Sequence, residues 1–264
     1  MSRMGKKPTL SPSKFETYLR CPVKYNLTYL DPRGRRFFRS RAEFTFGSVL
    51  HRTLQKFHEE GGAQVVSQEA LIASFQASWR TEGFESDERA EEHRQLGLTL
   101  LTAYHEAHRE AEPTKTLLTE KQLRLDLGEF VLIGRIDRID ERSNGAIEVI
   151  DYKSGRDDVS DDEVREDFSM GCYALLAQAA YPDRPILTSI VALRSGNKGT
   201  APRTSEEIDA IRQDVIALGC EILTMDFEAL RPIFKPRRCP YCEFSPICRT
   251  DADFSAQFRA QEID

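Results

Sequence analysis

Two apolar runs separated by a short polar segment form the clearest pattern in the chain. Residues 129–139 and 146–153 are rich in Ile and Val, and the segment between them ends in an Asn-Gly pair. This arrangement predicts a β-hairpin. We predict a three-residue loop at 143–145 with its glycine in the left-handed conformation, which places Asp137 opposite Asp151 on one face. A two-residue turn would instead point the two acids to opposite faces.

Further apolar runs surround this hairpin. Residues 117–125 lead into its first strand through a tight turn at 127–128, so that the three segments predict an antiparallel meander. A short apolar run at 185–193 predicts another strand. Residues 1–9 are polar and basic and predict a loose tail.

Helical periodicity marks the remaining long segments. A helix begins at Pro12 and leads to Cys21, a second is opened by Gly47-Ser48, and Ser205 caps the last. After the first, the predicted helices cover residues 44–57, 67–80, 88–111, 168–180 and 205–230.

Four of the five histidines lie on these predicted helices. His51 lies beside an apolar stripe, where a lone histidine most often has a structural role. His93, His105 and His108 lie among Glu and Arg, and we expect them to be solvated.

Composition restricts the class of protein. The chain has 264 residues, 40% of them hydrophobic, with a net charge of −6, so one large domain or two small ones can form. This balance argues against a generally basic DNA-coating protein but permits a local basic groove. No apolar run reaches membrane-spanning length and no signal segment opens the chain, so we expect a cytoplasmic protein without a membrane partner.

The facing acids suggest a metal site. Two carboxylates this close repel each other unless a cation lies between them, and oxygen ligands favour Mg²⁺ or Mn²⁺. Lys153 follows Asp151 by two residues and shares its face, within reach of the same reacting group. The plainer interpretation is that these residues are merely solvated at a strand end.

Three of the six cysteines form a C-x2-C-x5-C array, Cys239, Cys242 and Cys248, and Cys21 is the best candidate for a fourth ligand. Closing a loop of roughly 220 residues costs on the order of 5 kcal/mol, whereas a tetrahedral metal site returns about 10–16 kcal/mol. Zinc and an iron–sulfur cluster both remain open on these residues. Cys172 and Cys220 fall on apolar faces and predict ordinary core thiols.

Basic residues flank both parts of this cysteine set, and a metal clasp would bring them to one surface beside the cluster. Arginine binds phosphate and interleaved aromatics stack on bases, although a solvated loop is the alternative. The candidate DNA-binding residues are Arg33, Arg35, Arg36, Arg39, Arg41, Lys235, Arg237 and Arg238.

Four motifs together resemble the RecB-like branch of the PD-(D/E)XK nuclease superfamily, particularly its iron–sulfur members such as the AddB nuclease domain and the CRISPR-adaptation nucleases. The matching segments are the opening helix to Cys21-Pro22, Gly47-Ser48-Val49-Leu50-His51, Gly134-Arg135-Ile136-Asp137 with Asp151-Tyr152-Lys153, and the terminal cysteine array. One position departs from the family. Ser169 stands where the family usually has Gln, four residues before Tyr173.

The resemblance implies an α/β fold with a restriction-endonuclease-like core, in which helices flank a central mixed sheet. It implies one nuclease domain over 1–264, a helical insertion at about 60–115 and a metal clasp that joins Cys21 to 239–248.

The resemblance also implies a DNA nuclease. His51, Asp137 and Asp151, with the Tyr152 carbonyl, would hold Mg²⁺ or Mn²⁺, Lys153 and Tyr173 would assist, and the four cysteines would hold a 4Fe-4S cluster. An exonuclease of repair or recombination is the leading expectation, with DNA and a helicase as partners. An endonuclease or a trimming nuclease is an alternative, and a non-catalytic DNA-binding module with an iron–sulfur or zinc centre is a third.

Overall fold

The computed structural model describes residues 7–38 and 41–261. Within them, one sheet contains β1 Thr9–Leu10, β2 Lys115–Asp126, β3 Val131–Glu141, β4 Ile147–Lys153, β5 Ile186–Ala192 and β6 Lys198–Arg203. The strand order is β1-β3-β4-β5-β6, and β2 also pairs with β3. The β1/β3 and β4/β5 pairs are parallel and the others are antiparallel, so the sheet is mixed.

Helices flank this sheet, which confirms the predicted α/β class. They are α1 Pro12–Arg20, α2 Pro22–Tyr29, α3 Ala42–Glu59, α4 Gln68–Ser78, α5 Asp87–Glu110, α6 Asp161–Glu166, α7 Phe168–Ala180, α8 Ser205–Thr224, α9 Ser245–Cys248 and α10 Ala252–Gln261. None of the helices in the described part of the chain is both long and apolar enough to cross a membrane.

The chain divides into two compact units. The larger unit contains Met1–Pro12 and Ser40–Ile216, and the smaller unit contains Ser13–Arg39 and Ala217–Asp264.

The predicted meander and its turn are confirmed. Strand β3 pairs with β4 from Arg138↔Ile150 to Glu141↔Ile147, and the amide of Arg142 donates to the carbonyl of Ala146 at 2.9 Å. The loop therefore contains three residues, with Gly145 at φ +84°. A glycine is favoured at this position because an added Cβ is strained in the left-handed region.

Helix α3 packs an apolar face against the sheet. Leu50, Leu54 and Phe57 are fully buried and pack in one cluster with Ile150 and Tyr152 of β4. Burial of side chains of this size contributes about 1.5–3 kcal/mol each. Helices α4 and α5 pack over α3, so that a helical layer covers this side of the sheet.

The capping residue of α8 and the end of that helix differ from the prediction. Thr204, and not Ser205, caps α8, because the Thr204 hydroxyl accepts the Glu207 amide at 3.2 Å and the Glu207 carboxylate accepts the Thr204 amide at 2.9 Å. The helix ends at Thr224 instead of residue 230. The Asp226 carboxylate accepts the amides of Glu228 and Ala229 and so forms a turn that stops the helix.

Helix α3 also begins earlier than predicted, at Ala42. Gly47 and Ser48 consequently lie inside the helix rather than at its start. A Cβ at Gly47 would lie 3.2 Å from the Ser154 Oγ, so glycine allows the helix to approach the segment after β4 closely.

The prediction of solvated histidines on α5 is wrong at two positions. His105 is buried and donates to the Val66 carbonyl at 2.8 Å. His108 stacks on Tyr104 at 3.9 Å between ring centroids, and burial, with the Arg138 charge, lowers its pKa to about 4. The charged neighbours of these histidines in the sequence predicted exposure, but the packing of α5 against other helices buries them.

Two strands were not predicted. Thr9–Leu10 of the supposed loose tail pairs with β3 as β1. Strand β6 contains Lys198 and Pro202, residues that oppose a strand assignment. Proline is tolerated because β6 is an edge strand, and Lys198 forms an ion pair with the buried Glu148 at 2.5 Å.

The smaller unit is organised by aromatic packing. The rings of Tyr25 and Phe227 stack with centroids 5.4 Å apart, and the Tyr18 hydroxyl donates to Glu221 at 2.7 Å. Phe234 packs against Phe254 of α10 at 5.5 Å.

Candidate active site

Acidic side chains from three neighbouring strands meet at one level of the sheet. Glu120 of β2 lies between the pairs Thr119↔Arg138 and Lys121↔Ile136, so it faces Asp137. The β3–β4 register, continued by one step beyond Arg138↔Ile150, sets Asp137 opposite Asp151.

His51 of α3 joins two of these acids. Its Nδ1 lies 3.3 Å from Asp137 Oδ1 and 3.4 Å from Glu120 Oε1, while its Nε2 donates to the Tyr152 carbonyl at 3.0 Å. The bond at Nε2 leaves Nδ1 as the atom that faces the two carboxylates. One ligand atom from each of His51, Glu120 and Asp137 lies within 4.8 Å of the others.

This triad is suited to a cation. Burial alone would lower the pKa of His51, but Asp137 and Glu120 raise it to about 10, so a proton is held between the carboxylates. A divalent ion fits the same place, because a neutral imidazole nitrogen and two carboxylate oxygens form a donor set for Mg²⁺ or Mn²⁺.

Glu120 is the site residue that sequence reasoning missed. Glu120 lies between Thr119 and Lys121 in a half-exposed strand, where a charged side chain is expected to point into solvent. Its backbone adopts the left-handed conformation at φ +44°. Its carboxylate is also held by Arg135 Nε at 2.6 Å. No local pattern signals this arrangement.

Asp151, which was also predicted as a metal ligand, is not one of the three triad residues but lies next to them and pairs with Lys153. Its Oδ2 lies 2.7 Å from Lys153 Nζ. Burial raises the pKa of Asp151 to about 6, with Lys153 opposing and Asp137 adding to the shift. Burial alone would lower the pKa of Lys153, but Asp151 raises it overall, so the amine stays protonated.

Tyr152 links the site to a buried polar network behind it. Its carbonyl, which the resemblance offers as a metal ligand, is engaged by His51. Its hydroxyl accepts from Arg138 Nη1 at 2.8 Å and lies 2.9 Å from the Tyr104 hydroxyl. Asp140 holds the same guanidinium at 3.1 Å. This network fixes the strand position from which the carbonyl projects.

Tyr173 lies on α7 against β3. A Cβ built on Gly134 would meet the Tyr173 ring at 3.1 Å and Leu176 at 2.5 Å. Glycine therefore allows the helix to pack against the strand three residues before Asp137.

A cavity of about 950 Å³ opens onto these residues, with His51, Glu120, Asp137 and Lys153 in its wall. Arg156 also lines it and was not predicted. Its Nη1 is buried and has no hydrogen-bond partner among the described residues. A buried cationic donor without a partner is suited to an anion such as a phosphate oxygen.

The sequence that forms this site matches a known protein family. Residues 9–249 match the model of the PD-(D/E)XK nuclease superfamily. The chain belongs to this superfamily. Such nucleases use divalent metal ions and act on DNA, which agrees with the triad at the cavity wall.

No curated protein matches the chain. A solved structure described as "Crystal structure of SSO0001" is 12% identical over 88% of this chain and 98% of that chain, with a TM-score of 0.33.

The four cysteines of the predicted clasp lie in the smaller unit of the nuclease. Burial raises the pKa of Cys248 to about 12, and the neighbouring thiols Cys242, Cys21 and Cys239 add to the shift. Backbone amides donate to two of the sulfurs, Lys24 to Cys21 at 3.4 Å and Lys235 to Cys239 at 3.2 Å.

The candidate DNA-binding residues have different surroundings. Arg33 pairs with Asp31 at 2.6 Å, and Lys235 and Arg238 donate to the Arg20 carbonyl beside Cys21. Arg35, Arg36 and Arg237 are exposed in the smaller unit and Arg41 is exposed in the larger unit, whereas Arg39 lies outside the described residues.

Proposed function

We propose that the chain is a Mg²⁺- or Mn²⁺-dependent DNA exonuclease of the RecB-like type. The observation that carries the proposal is the convergence of His51, Glu120 and Asp137 on one point of a cavity that also holds Lys153 and Arg156. The resemblance of the sequence motifs supports exonuclease action in repair or recombination.

Each residue of the candidate site has a defined role in this proposal. His51, Glu120 and Asp137 hold the divalent ion, and Asp151 lies next to them. A bound ion supplies a Lewis acid and lowers the pKa of a coordinated water. Lys153, kept protonated by Asp151, orients that water or stabilises charge on the phosphorus. Arg156 donates from its buried Nη1 to a phosphate oxygen.

We also propose that Cys21, Cys239, Cys242 and Cys248 hold a 4Fe-4S cluster. The resemblance of the sequence motifs to the iron–sulfur members of the RecB-like branch supports a cluster over a single zinc ion. The thiols of Cys21, Cys239 and Cys242 each act on the pKa of Cys248, so the four side chains lie near one another.

Cleavage of linear and circular DNA tests the proposal. With Mg²⁺ or Mn²⁺, linear DNA is expected to be degraded and closed circles to remain intact, and chelator is expected to stop the reaction. Nicking of circles would support an endonuclease. Binding without cleavage under either ion would support the non-catalytic module and overturn the nuclease.

Asp137→Asn tests the site itself and is expected to reduce cleavage by about 100-fold or more. Asp183→Asn is its matched control, because Asp183 is exposed at φ +64°, a conformation that asparagine tolerates. Equal activity of the two variants would remove Asp137 from the site.

A further inference from the structure

Helix α3 carries a second stripe beside its buried face. Phe44, Ser48, His51, Arg52 and Gln55 follow one another at spacings of four, three, one and three residues, so they share one side of the helix. All five line the active-site cavity. The metal-site histidine is therefore one member of a continuous row.

This row extends beyond the active-site cavity. A second cavity of about 390 Å³ shares Phe44, Ser48 and Arg52 with the first and adds Arg41 and Arg80. Arg52 and Arg80 are exposed, and neither shows an ion pair within the described part of the chain. Glu82 is the acid in this wall, so arginines dominate its charge.

Phe44 is placed at the junction of the two cavities. It is 71% exposed, and it and Val65 are the exposed large apolar side chains of the larger unit within the described ranges. Phe44 precedes His51 by seven residues, a separation of about 10 Å along the helix. An exposed aromatic face between arginines is suited to stacking on a nucleic acid base.

We propose that Phe44, Arg52 and Arg80 form a binding track for an unpaired DNA strand that leads to the metal site. Bases of a duplex are stacked on one another, so an aromatic side chain on a groove wall can stack only on an unpaired base. The arginines would receive the phosphates on either side of that base. The proposal rests on the nuclease function and names its substrate as single-stranded DNA at the reacting end.

Binding measurements separate this proposal from the nuclease proposal. We would measure Kd by fluorescence anisotropy for a labelled single-stranded oligonucleotide and for a blunt hairpin duplex, with Mg²⁺ and Asp151→Asn in every variant to prevent cleavage. Phe44→Ala is expected to raise the single-strand Kd about 5- to 150-fold. The duplex Kd is expected to change less than twofold, and Phe44→Trp to retain single-strand binding.

Matched controls come from the same unit. Val65→Ala removes an equally exposed apolar side chain, and Arg109→Gln removes an exposed arginine of α5; both are expected to leave the single-strand Kd unchanged. Arg52→Gln is expected to weaken binding and lower the slope of log K against log salt by about 0.7. In the chain with Asp151 intact, Phe44→Ala is expected to raise KM for a single strand and leave kcat within twofold.

Unchanged single-strand binding by Phe44→Ala, or an equal loss in Val65→Ala, would overturn the track even if the parent chain cleaves DNA. Phe44-dependent binding by a chain that cleaves nothing would support the track while the nuclease function fails.

Discussion

The backbone amide of Tyr152 donates a 2.8 Å hydrogen bond to the Asp137 carboxylate. The described β3–β4 pairing ends at Arg138↔Ile150, so a side chain takes over where the next backbone bond would form. Asp137 Oδ2 is thereby anchored to β4, while Oδ1 faces His51 at 3.3 Å. One carboxylate both joins the strands and serves the candidate metal site.

Glu120→Gln is expected to weaken metal binding, because the neutral amide removes one of the two charges that face His51. We expect a loss of about 10- to 100-fold in Mn²⁺ affinity, measured by isothermal titration calorimetry, with a parallel fall in cleavage. Glu129→Gln, at an exposed turn position, is the control. Unchanged Mn²⁺ affinity would show that Glu120 only holds Arg135.

Gly134→Ala is expected to destabilise the fold by about 1–3 kcal/mol, because the new methyl group would overlap Leu176 and crowd Tyr173. Urea unfolding measures the change. Gly155→Ala is the matched control, since a Cβ there meets no atom within 4 Å. An equal free energy of unfolding in both variants would contradict the close packing of α7 on β3.

Acid is expected to destabilise the protein through Glu148. Burial alone would raise its pKa, but Arg142, Lys198 and Ser189 lower it to about 2. Because the folded pKa is below the unfolded value, the stabilisation is present above about pH 4.5 and is lost as the pH falls toward 2, on the order of 3 kcal/mol in total. Urea midpoints from pH 7 to pH 3 measure it.

Glu148→Gln provides the test of that assignment. The variant is expected to be less stable at pH 7, because two cations lose their partner, and to show a flatter decline between pH 5 and pH 3. A decline as steep as that of the parent chain would assign the acid sensitivity to other groups.

Cys248→Ser is expected to remove the iron and acid-labile sulfide of anaerobically purified protein and to lower its thermal midpoint by several degrees, because the fourth thiolate is lost. Cys220→Ser, at a half-buried thiol outside the set, is expected to leave the metal content unchanged. Zinc in place of iron would refute the cluster while preserving the clasp. No bound metal in the parent chain would refute both.

Sequence patterns predicted the parts of the fold that depend on neighbours along the chain. The meander followed from alternation and from the turn at Gly145, and the helix around His51 from its apolar spacing. Strand β6 could not be predicted because Lys198 pairs with Glu148, which lies on another strand far away in the sequence. The burial of His105 likewise could not be predicted, because it depends on how α5 packs.

The residues of the candidate site also fall into those that the local sequence predicts and those that only the folded structure shows. Asp137, Asp151 and Lys153 could be placed on one hairpin from its register alone. Glu120 could not, because its role depends on a third strand and on a left-handed backbone. Arg156 could not, because only the cavity shows that one of its nitrogens is buried without a partner.

The left-handed backbone at Glu120 lowers the stability of the fold, while the side chain of the same residue belongs to the proposed metal site. Residues other than glycine in that conformation typically cost about 1–3 kcal/mol, a penalty that glycine would relieve. Selection of variants for heat resistance alone would therefore favour Glu120→Gly, and the more stable protein would lack one carboxylate of the proposed metal site.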